Sequence, residues 1–404
     1  MKDRPRRVLY LNHGAKPSGA EFALLRLLGA MDRMKVTPVM VFGEEGPMVQ
    51  AMRDINVETH VLPLAGKVRD IRKDTLSFRA LLGFGKLALV AGYSARIARF
   101  ARRNQIEVIH TNTIKAHVYG ALTARMAGVP LVWHIRDFVN DSYFPAAAVR
   151  VFRWLARRLP THVIGVSNSV MEQLHLEDGG RKSTVIFDGL SEQELAPQMN
   201  GKDHALPGAA ARIGIVGRIA KWKGQHVFLD AAARVVKAGY KAEFVIVGAP
   251  LFGEQAYEEG LRTQAAELGI SSHVRFLGFK KDVSQVMRDL DILVHASITG
   301  EPFGQVITEG MAAGKPVIAT RGGGVPEIIT HDENGLLTPM GDADALAAEL
   351  ISLLDNPDKT RRLAKAGYDH VRRNFTAGSG ARQVEQIYAG FATRRSWFGG
   401  YSHC

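Results

Sequence analysis

Residues 212–224 read Arg212-Ile213-Gly214-Ile215-Val216-Gly217-Arg218-Ile219-Ala220-Lys221-Trp222-Lys223-Gly224. A short apolar run ends at a glycine, a loop with cations follows, and a helical pattern begins near Val227. That succession is the βα unit of a parallel sheet. It recurs down the second half. Glu243–Val247 ends in Gly248 and Val274–Leu277 ends in Gly278. Ile292–His295, Val317–Thr320 and Gly335–Thr338 read as further strands, with a helix near Val306–Ala313. The tail is helical in three pieces, Asp342–Leu354, Thr360–Asn374 and Ser379–Ala392.

The first half repeats the pattern. Val8–Asn12, Val36–Phe42, Glu58–Leu62, Val108–Asn112, Leu131–Ile135, Val163–Ser167 and Lys182–Asp188 read as strands. Between Ser191 and Ala211 the periodicity fails among turn formers and small residues, the mark of a linker. The expectation is an α/β chain of two doubly wound domains, 1–195 and 211–375, joined by a linker at 196–210. Residues 376–404 are expected to form a helix that packs back on the first domain. Ligands of open α/β sheets bind beyond the carboxyl ends of the strands. Two such domains facing each other would place a site in the cleft between them.

Composition narrows the class. With 46% hydrophobic and 23% charged residues, a disordered chain is excluded. The single cysteine, Cys404, excludes a disulfide framework. Lys+Arg 52 against Asp+Glu 40 gives +12. Residues 1–200 hold 28 basic and 18 acidic side chains, so +10 of the excess lies in the first half. Such a half suits an anionic partner. Its densest part is an insertion at 66–104 with Arg72, Lys73, Arg79 and Lys86 among Leu, Phe and Tyr. Arg157 belongs to a second basic cluster. Basic heads beside apolar bodies suit an anionic lipid surface. A nucleic-acid partner is disfavoured, because no known module accompanies the charge. The run Val8–Leu11 is too short for a secretory segment, and Lys86 interrupts Leu81–Val90. The expected location is the cytoplasm, or the inner membrane face as a peripheral protein.

Two stretches carry chemistry. In the first, Arg218 and Lys223 offer a planar fork and a point charge beside a helix start, as a diphosphate requires. The second is Glu301-Pro302-Phe303-Gly304-Gln305-Val306-Ile307-Thr308-Glu309. Here Glu301 precedes a helix and Glu309 lies within it. Carboxylates of that kind accept hydrogen bonds from vicinal hydroxyls. Backbone N–H groups near Phe303–Gln305, which a helix start leaves without an intrahelical partner, can hydrogen-bond hydroxyls or an anion.

With Gly217-Arg218…Lys223-Gly224, Val247-Gly248, Phe276-Leu277-Gly278, Glu301…Glu309, Met311–Ala319 and Gly322-Gly323-Gly324…Pro326-Glu327, the chain resembles the retaining glycosyltransferases of the GT-B fold, family 4 (glycosyl transferases group 1). The resemblance spans nearly the whole chain. It implies two Rossmann-like domains, the first for an acceptor and the second for a nucleotide-sugar. It implies that Arg218 and Lys223 neutralise the donor diphosphate and that Glu309 binds the ribose. Glu301, with the amides of Phe303 and Gly304, would hold the transferred sugar. Gly278, Phe279 and Lys280 would lie along the base, and Gly217 would close the diphosphate turn. The family's first loop is often Gly-Gly-x-Glu. This chain has Ser18-Gly19-Ala20-Glu21, so Gly19 matches and Ser18 departs. His134 matches a family histidine near the reacting sugar, whereas Asp137 stands farther off than the common His-Asp pairing. His110 and Ser167 are further strand-end candidates, His110 toward the acceptor. The expected reaction is hexosyl transfer with retention in cell-envelope polysaccharide or glycolipid assembly, with no cofactor and no metal. Two alternatives share the architecture: a sugar-nucleotide epimerase and a catalytically silent nucleotide-sugar-binding protein. A dinucleotide oxidoreductase is disfavoured, since no G-x-G-x-x-G follows the first strand of either half.

Overall fold

The computed structural model describes residues 4–64, 84–141, 144–176, 182–196, 210–251 and 253–391. The chain divides into two units, Met1–Ser191 with Ala377–Cys404, and Glu192–Thr376.

In the first unit β1 (Arg6–Asn12), β2 (Val36–Phe42), β3 (Glu58–Val61), β4 (Val108–Thr111), β5 (Leu131–Ile135), β6 (His162–Gly165) and β7 (Lys182–Val185) form one sheet. Its order is β3-β2-β1-β4-β5-β6-β7, and every pair is parallel. A parallel sheet is covered on both faces, so its central strands must be apolar throughout. All of β4, β5 and β6 is buried, which is why these strands were readable as continuous apolar runs. The helix Ala377–Ala389 belongs to this unit despite its place in the sequence. It sinks Ala381, Val384 and Tyr388 into the same core as Val8, Tyr10, Leu24 and Met40. Glu385 fastens it, accepting the Asp32 amide at 2.8 Å and pairing with Lys35 at 3.3 Å.

The second unit holds β8 (Ala211–Val216), β9 (Ala242–Val247), β10 (Val274–Gly278), β11 (Ile292–His295), β12 (Val317–Thr320) and β13 (Leu336–Thr338). This sheet is also wholly parallel, in the order β10-β9-β8-β11-β12-β13. Its core joins Phe228 and Leu229 of the helix Gln225–Lys237 to Phe244, Ile246, Val294 and Leu350. Helix ends follow local chemistry. Asp342 accepts the Ala345 amide ahead of Ala343–Asp355, and Asn356 accepts the Lys359 amide ahead of Pro357–Asn374, whose Pro357 needs no amide partner there.

The two-sheet α/β architecture is the one read from the sequence, strand for strand. The sequence pattern does not show the short helices Pro47–Asp54, Asn168–Leu174 and Val283–Asp289, which complete too few turns for a period, nor Gln255–Glu267, which buries only Leu261 and Ala265. In each sheet the order reverses once, between β1 and β4 and between β8 and β11. Loops leaving those strands diverge and open a crevice at the carboxyl edge. The charged loop with Lys223 follows β8, and Glu301 follows β11.

Candidate active site

In the second unit the loops after β8 and β11 converge on one carboxylate. Lys223 ends the turn Lys221–Lys223, and Gly224 then turns the chain into the next helix with φ +72°. A Cβ on Gly224 would stand 1.9 Å from the Ala296 carbonyl oxygen, so only glycine lets the two loops close. The Ile298 amide donates to the Trp222 carbonyl at 2.9 Å and ties them further. Glu301 is 7% exposed. Its Oε1 accepts from Lys223 Nζ at 2.5 Å, Ser297 Oγ at 2.6 Å and His295 Nε2 at 3.0 Å. Its own carbonyl accepts the Gly324 amide at 2.8 Å. Gly323, at φ +61°, passes so close that a Cβ would stand 2.0 Å from that carbonyl oxygen.

Burial pushes the Glu301 carboxyl up. The Lys223 charge, with the hydrogen bonds of His295 and Lys223, outweighs that effect and holds the group well below the usual carboxylate range. Glu301 is therefore ionised at neutral pH, and His295 must donate Nε2–H to it. His295 Nδ1 has no partner among the described residues. The Trp222 ring backs both cations, 4.3 Å from Lys223 Nζ and 5.5 Å from the Arg218 guanidinium carbon. Gln225 Nε2 holds the Arg218 carbonyl at 2.9 Å.

Sequence reasoning missed His295, Ser297 and the role of Trp222. His295 is the last residue of β11, and the strand-end reading given to His110 and Ser167 would have marked it too. Phe303 is buried and packs on Phe375 with ring centroids 5.7 Å apart, so its side chain is core and only its backbone can meet a ligand. Gly304, with φ +109°, precedes the helix Gln305–Ala312, on which Glu309 is half-buried. The Gly217 amide donates to Val247 O at 2.9 Å. Gly278 ends β10, and Phe279 and Lys280 after it are exposed.

The first unit places its candidates differently. Gly19 opens the helix Gly19–Gly29. Glu21 turns inward to accept from Asn12 Nδ2 at 2.9 Å and from Ser18 Oγ, which pins the first loop to the end of β1. His110 corrects an expectation. It is fully buried, with its ring nitrogens turned to Tyr388 at 2.7 Å and His134 at 3.2 Å and not to the surface. Burial first, and then the Arg136 charge, push both imidazoles well below their ordinary value, so both are neutral. The carboxylate of this neighbourhood is Asp188, paired with Arg136, whose Nε also donates to Asn112 Oδ1 at 2.7 Å. His134, Arg136, Asp188, Gly189, Ala377 and Gly380 line a small pocket. Ser167 caps the helix Asn168–Leu174 through the Val170 amide. Arg157 donates Nε and Nη2 to the His175 carbonyl at 3.0 and 2.5 Å, a tie to the end of that helix. Arg72, Lys73 and Arg79 lie outside the described residues, as does the side chain of Lys86 in the helix Phe84–Arg103.

Residues 200–370 match the family described as glycosyl transferases group 1, and residues 18–187 match the glycosyl transferase 4-like domain. A phosphatidyl-myo-inositol mannosyltransferase of Mycobacterium leprae is 30% identical over 309 residues, covering 75% of this chain and 78% of its own. The crystal structure of Anabaena HepE in complex with UDP-glucose superimposes with a TM-score of 0.78 at 27% identity, covering 95% of this chain and 100% of that one. The chain belongs to the GT-B glycosyltransferases. A D-inositol 3-phosphate glycosyltransferase of Corynebacterium efficiens is 27% identical over 85% of this glycosyltransferase and 83% of its own chain. The Lys223–Glu301 cluster falls in the group 1 match and His134 in the 4-like domain. No helix among the described residues of the enzyme is long and apolar enough to cross a membrane.

Proposed function

We propose that this enzyme is a family 4 hexosyltransferase. It moves a sugar from a nucleoside-diphosphate donor to a glycan or lipid-linked acceptor in cell-envelope assembly, with retention and without a metal. The observation that carries this reading is the ionised, buried Glu301 held by Lys223, His295 and Ser297 at the β8/β11 edge. A fixed carboxylate beside fixed cations suits a ligand with hydroxyls at one end and a diphosphate at the other. HepE, solved with UDP and with UDP-glucose, is such a binder.

In this scheme the bond from the anomeric carbon to the diphosphate oxygen breaks, and an acceptor oxygen bonds that carbon from the same face. The acceptor proton passes to the departing phosphate. Lys223 and Arg218 offset the charge that grows on the leaving group, the work a divalent cation does elsewhere. Glu301 and the backbone at Phe303–Gly304 hold the sugar. Glu309 holds the ribose, and the loop at Gly278–Lys280 borders the base. In the first unit the pocket at His134 receives a further substrate oxygen, and Gly19 lets the first loop approach the diphosphate.

A panel of UDP-, GDP- and ADP-sugars tests the reading. One nucleotide class should raise the melting temperature. At about a hundredfold excess over Kd the expected stabilisation is about 2.7 kcal/mol. Sugar transfer, not donor epimerisation, should follow and should survive EDTA. A panel with no shift and no transfer would remove the proposal. Transfer abolished by EDTA would remove its metal-free part.

A peripheral membrane contact is the second part of the proposal. On the helix Ala146–Arg158, Trp154 is 54% exposed with the Arg158 guanidinium 5.8 Å from its ring, and exposed Leu159 follows. An aromatic flanked by cations suits anionic headgroups. Sedimentation with anionic vesicles, and not with neutral ones, is expected. Equal, negligible binding to both would sink it.

A further inference from the structure

The mechanism above uses His134 but not the chain of polar groups behind it. Tyr10 on β1 stands beside His110 on β4, and His110 beside Val132 on β5, in the sheet register. His134 lies two residues past Val132, on the same face of the sheet. The returning helix Ala377–Ala389 lays Tyr388 over that face. The result is a buried line of hydrogen bonds. Tyr10 OH meets Tyr388 OH at 2.8 Å, Tyr388 OH meets His110 Nδ1 at 2.7 Å, and His110 Nε2 meets His134 Nδ1 at 3.2 Å. Beyond it, His134 Nε2 is buried with no partner among the described residues, and the ring lines the pocket shared with Arg136 and Asp188.

Each hydroxyl has one proton to give, and each neutral ring has one N–H. The line can therefore run in only two directions. In one, Tyr10 donates to Met31 Sδ at 3.3 Å, a weak acceptor, and His134 donates through Nδ1. Arg136 Nη2 opposes this. It lies 3.4 Å from the same Nδ1 and can only donate. In the other direction Tyr10 donates to Tyr388, Tyr388 to His110 Nδ1, and His110 Nε2–H to His134 Nδ1. The contacts from Tyr10 to His134 then each pair a donor with an oxygen or nitrogen acceptor, Arg136 Nη2–H shares the Nδ1 lone pair, and only the weak Met31 contact is given up.

We propose that Tyr388, backed by Tyr10 and acting through His110, is a positioning residue that places the His134 proton on Nε2. His134 thus offers a hydrogen-bond donor, not a base, to an oxygen of the substrate in the pocket. Its functional weight rests on the reading of His134 as a substrate-facing group. The position of the proton does not.

The test is the ring-nitrogen spectrum of full-length protein carrying isotope-labelled histidine, with His134 signals assigned by their loss in His134→Asn. The expected wild-type spectrum shows Nε2 protonated and Nδ1 bare. In Tyr388→Phe, His110 loses its donor. His134 should then divide between two tautomers, and turnover should fall about tenfold, the usual effect of removing an orienting partner, with little change in KM. Tyr10→Phe should move the spectrum the same way by less, and serves if Tyr388→Phe fails to fold. A wild-type proton on Nδ1 overturns the proposal. So does a Tyr388→Phe spectrum and turnover unchanged from wild type. Unchanged turnover in His134→Asn would instead remove His134 from the site and leave the tautomer assignment standing.

Discussion

Lys223→Ala is expected to lower kcat/KM by about 100- to 1,000-fold, the range found when one preorganised group facing transition-state charge is removed. Two losses combine. In the proposed reaction the departing diphosphate loses a cation that is 18% exposed beside Trp222. Glu301 loses its opposite charge and stays buried, a state that is strongly destabilising. The pH profile separates them. In the wild type the Glu301 value is depressed. Its contribution is therefore complete above the ordinary carboxylate range and is lost only as pH falls through the depressed value. Without Lys223, burial is opposed chiefly by His295, and the Glu301 value rises. Donor binding by the variant should weaken as pH falls through the ordinary carboxylate range, while wild-type binding should not. Lys223→Arg keeps the charge and should hold the wild-type pH profile even where its fork geometry lowers turnover. Unchanged kcat/KM in Lys223→Ala would remove the lysine from the site.

The legibility of this molecule follows from which contacts are local. Buried parallel strands leave uninterrupted runs such as Val108-Ile109 and Leu131-Val132-Trp133, so the sheets could be read directly from the sequence. Lys223 and Glu301 stood out because each lies in a glycine-containing loop just ahead of a helix start, where a charge can face a ligand. Their meeting, 78 positions apart, depends on β8 and β11 being neighbours, which no local pattern states. Ser297 and His295 resemble ordinary loop and strand-end residues until that neighbourhood exists. Tyr388 lies 278 positions from His110, on a helix whose amphipathic pattern announces a buried face but not the polar group within it. The same distance explains the expectation for His110. A strand-end histidine reads as facing outward unless the returning helix is known to cover it.

The Arg136–Asp188 pair carries the second large effect. Both side chains are nearly sealed, 3% and 7% exposed, and Arg136 also holds Asn112 at 2.7 Å. A buried pair stabilises little relative to apolar side chains of the same volume, because desolvation offsets the attraction. Removing one member leaves the other charged and unpaired. Arg136→Ala should therefore cost about 3–5 kcal/mol in the urea unfolding of the full chain. Arg136→Leu with Asp188→Leu should cost clearly less than the sum of the two single changes, since neither charge remains to be stranded. Arg157→Ala is the control. That side chain is exposed and ties one helix end, and the expected change is within about 0.5 kcal/mol of a neutral surface substitution. If the two single Leu variants and the double variant prove additive, Arg136 and Asp188 do not act as a pair. The pocket beside His134 would then owe its charge balance to Arg136 alone, and the neutral state of both imidazoles would have to follow from burial and the guanidinium without the opposing carboxylate.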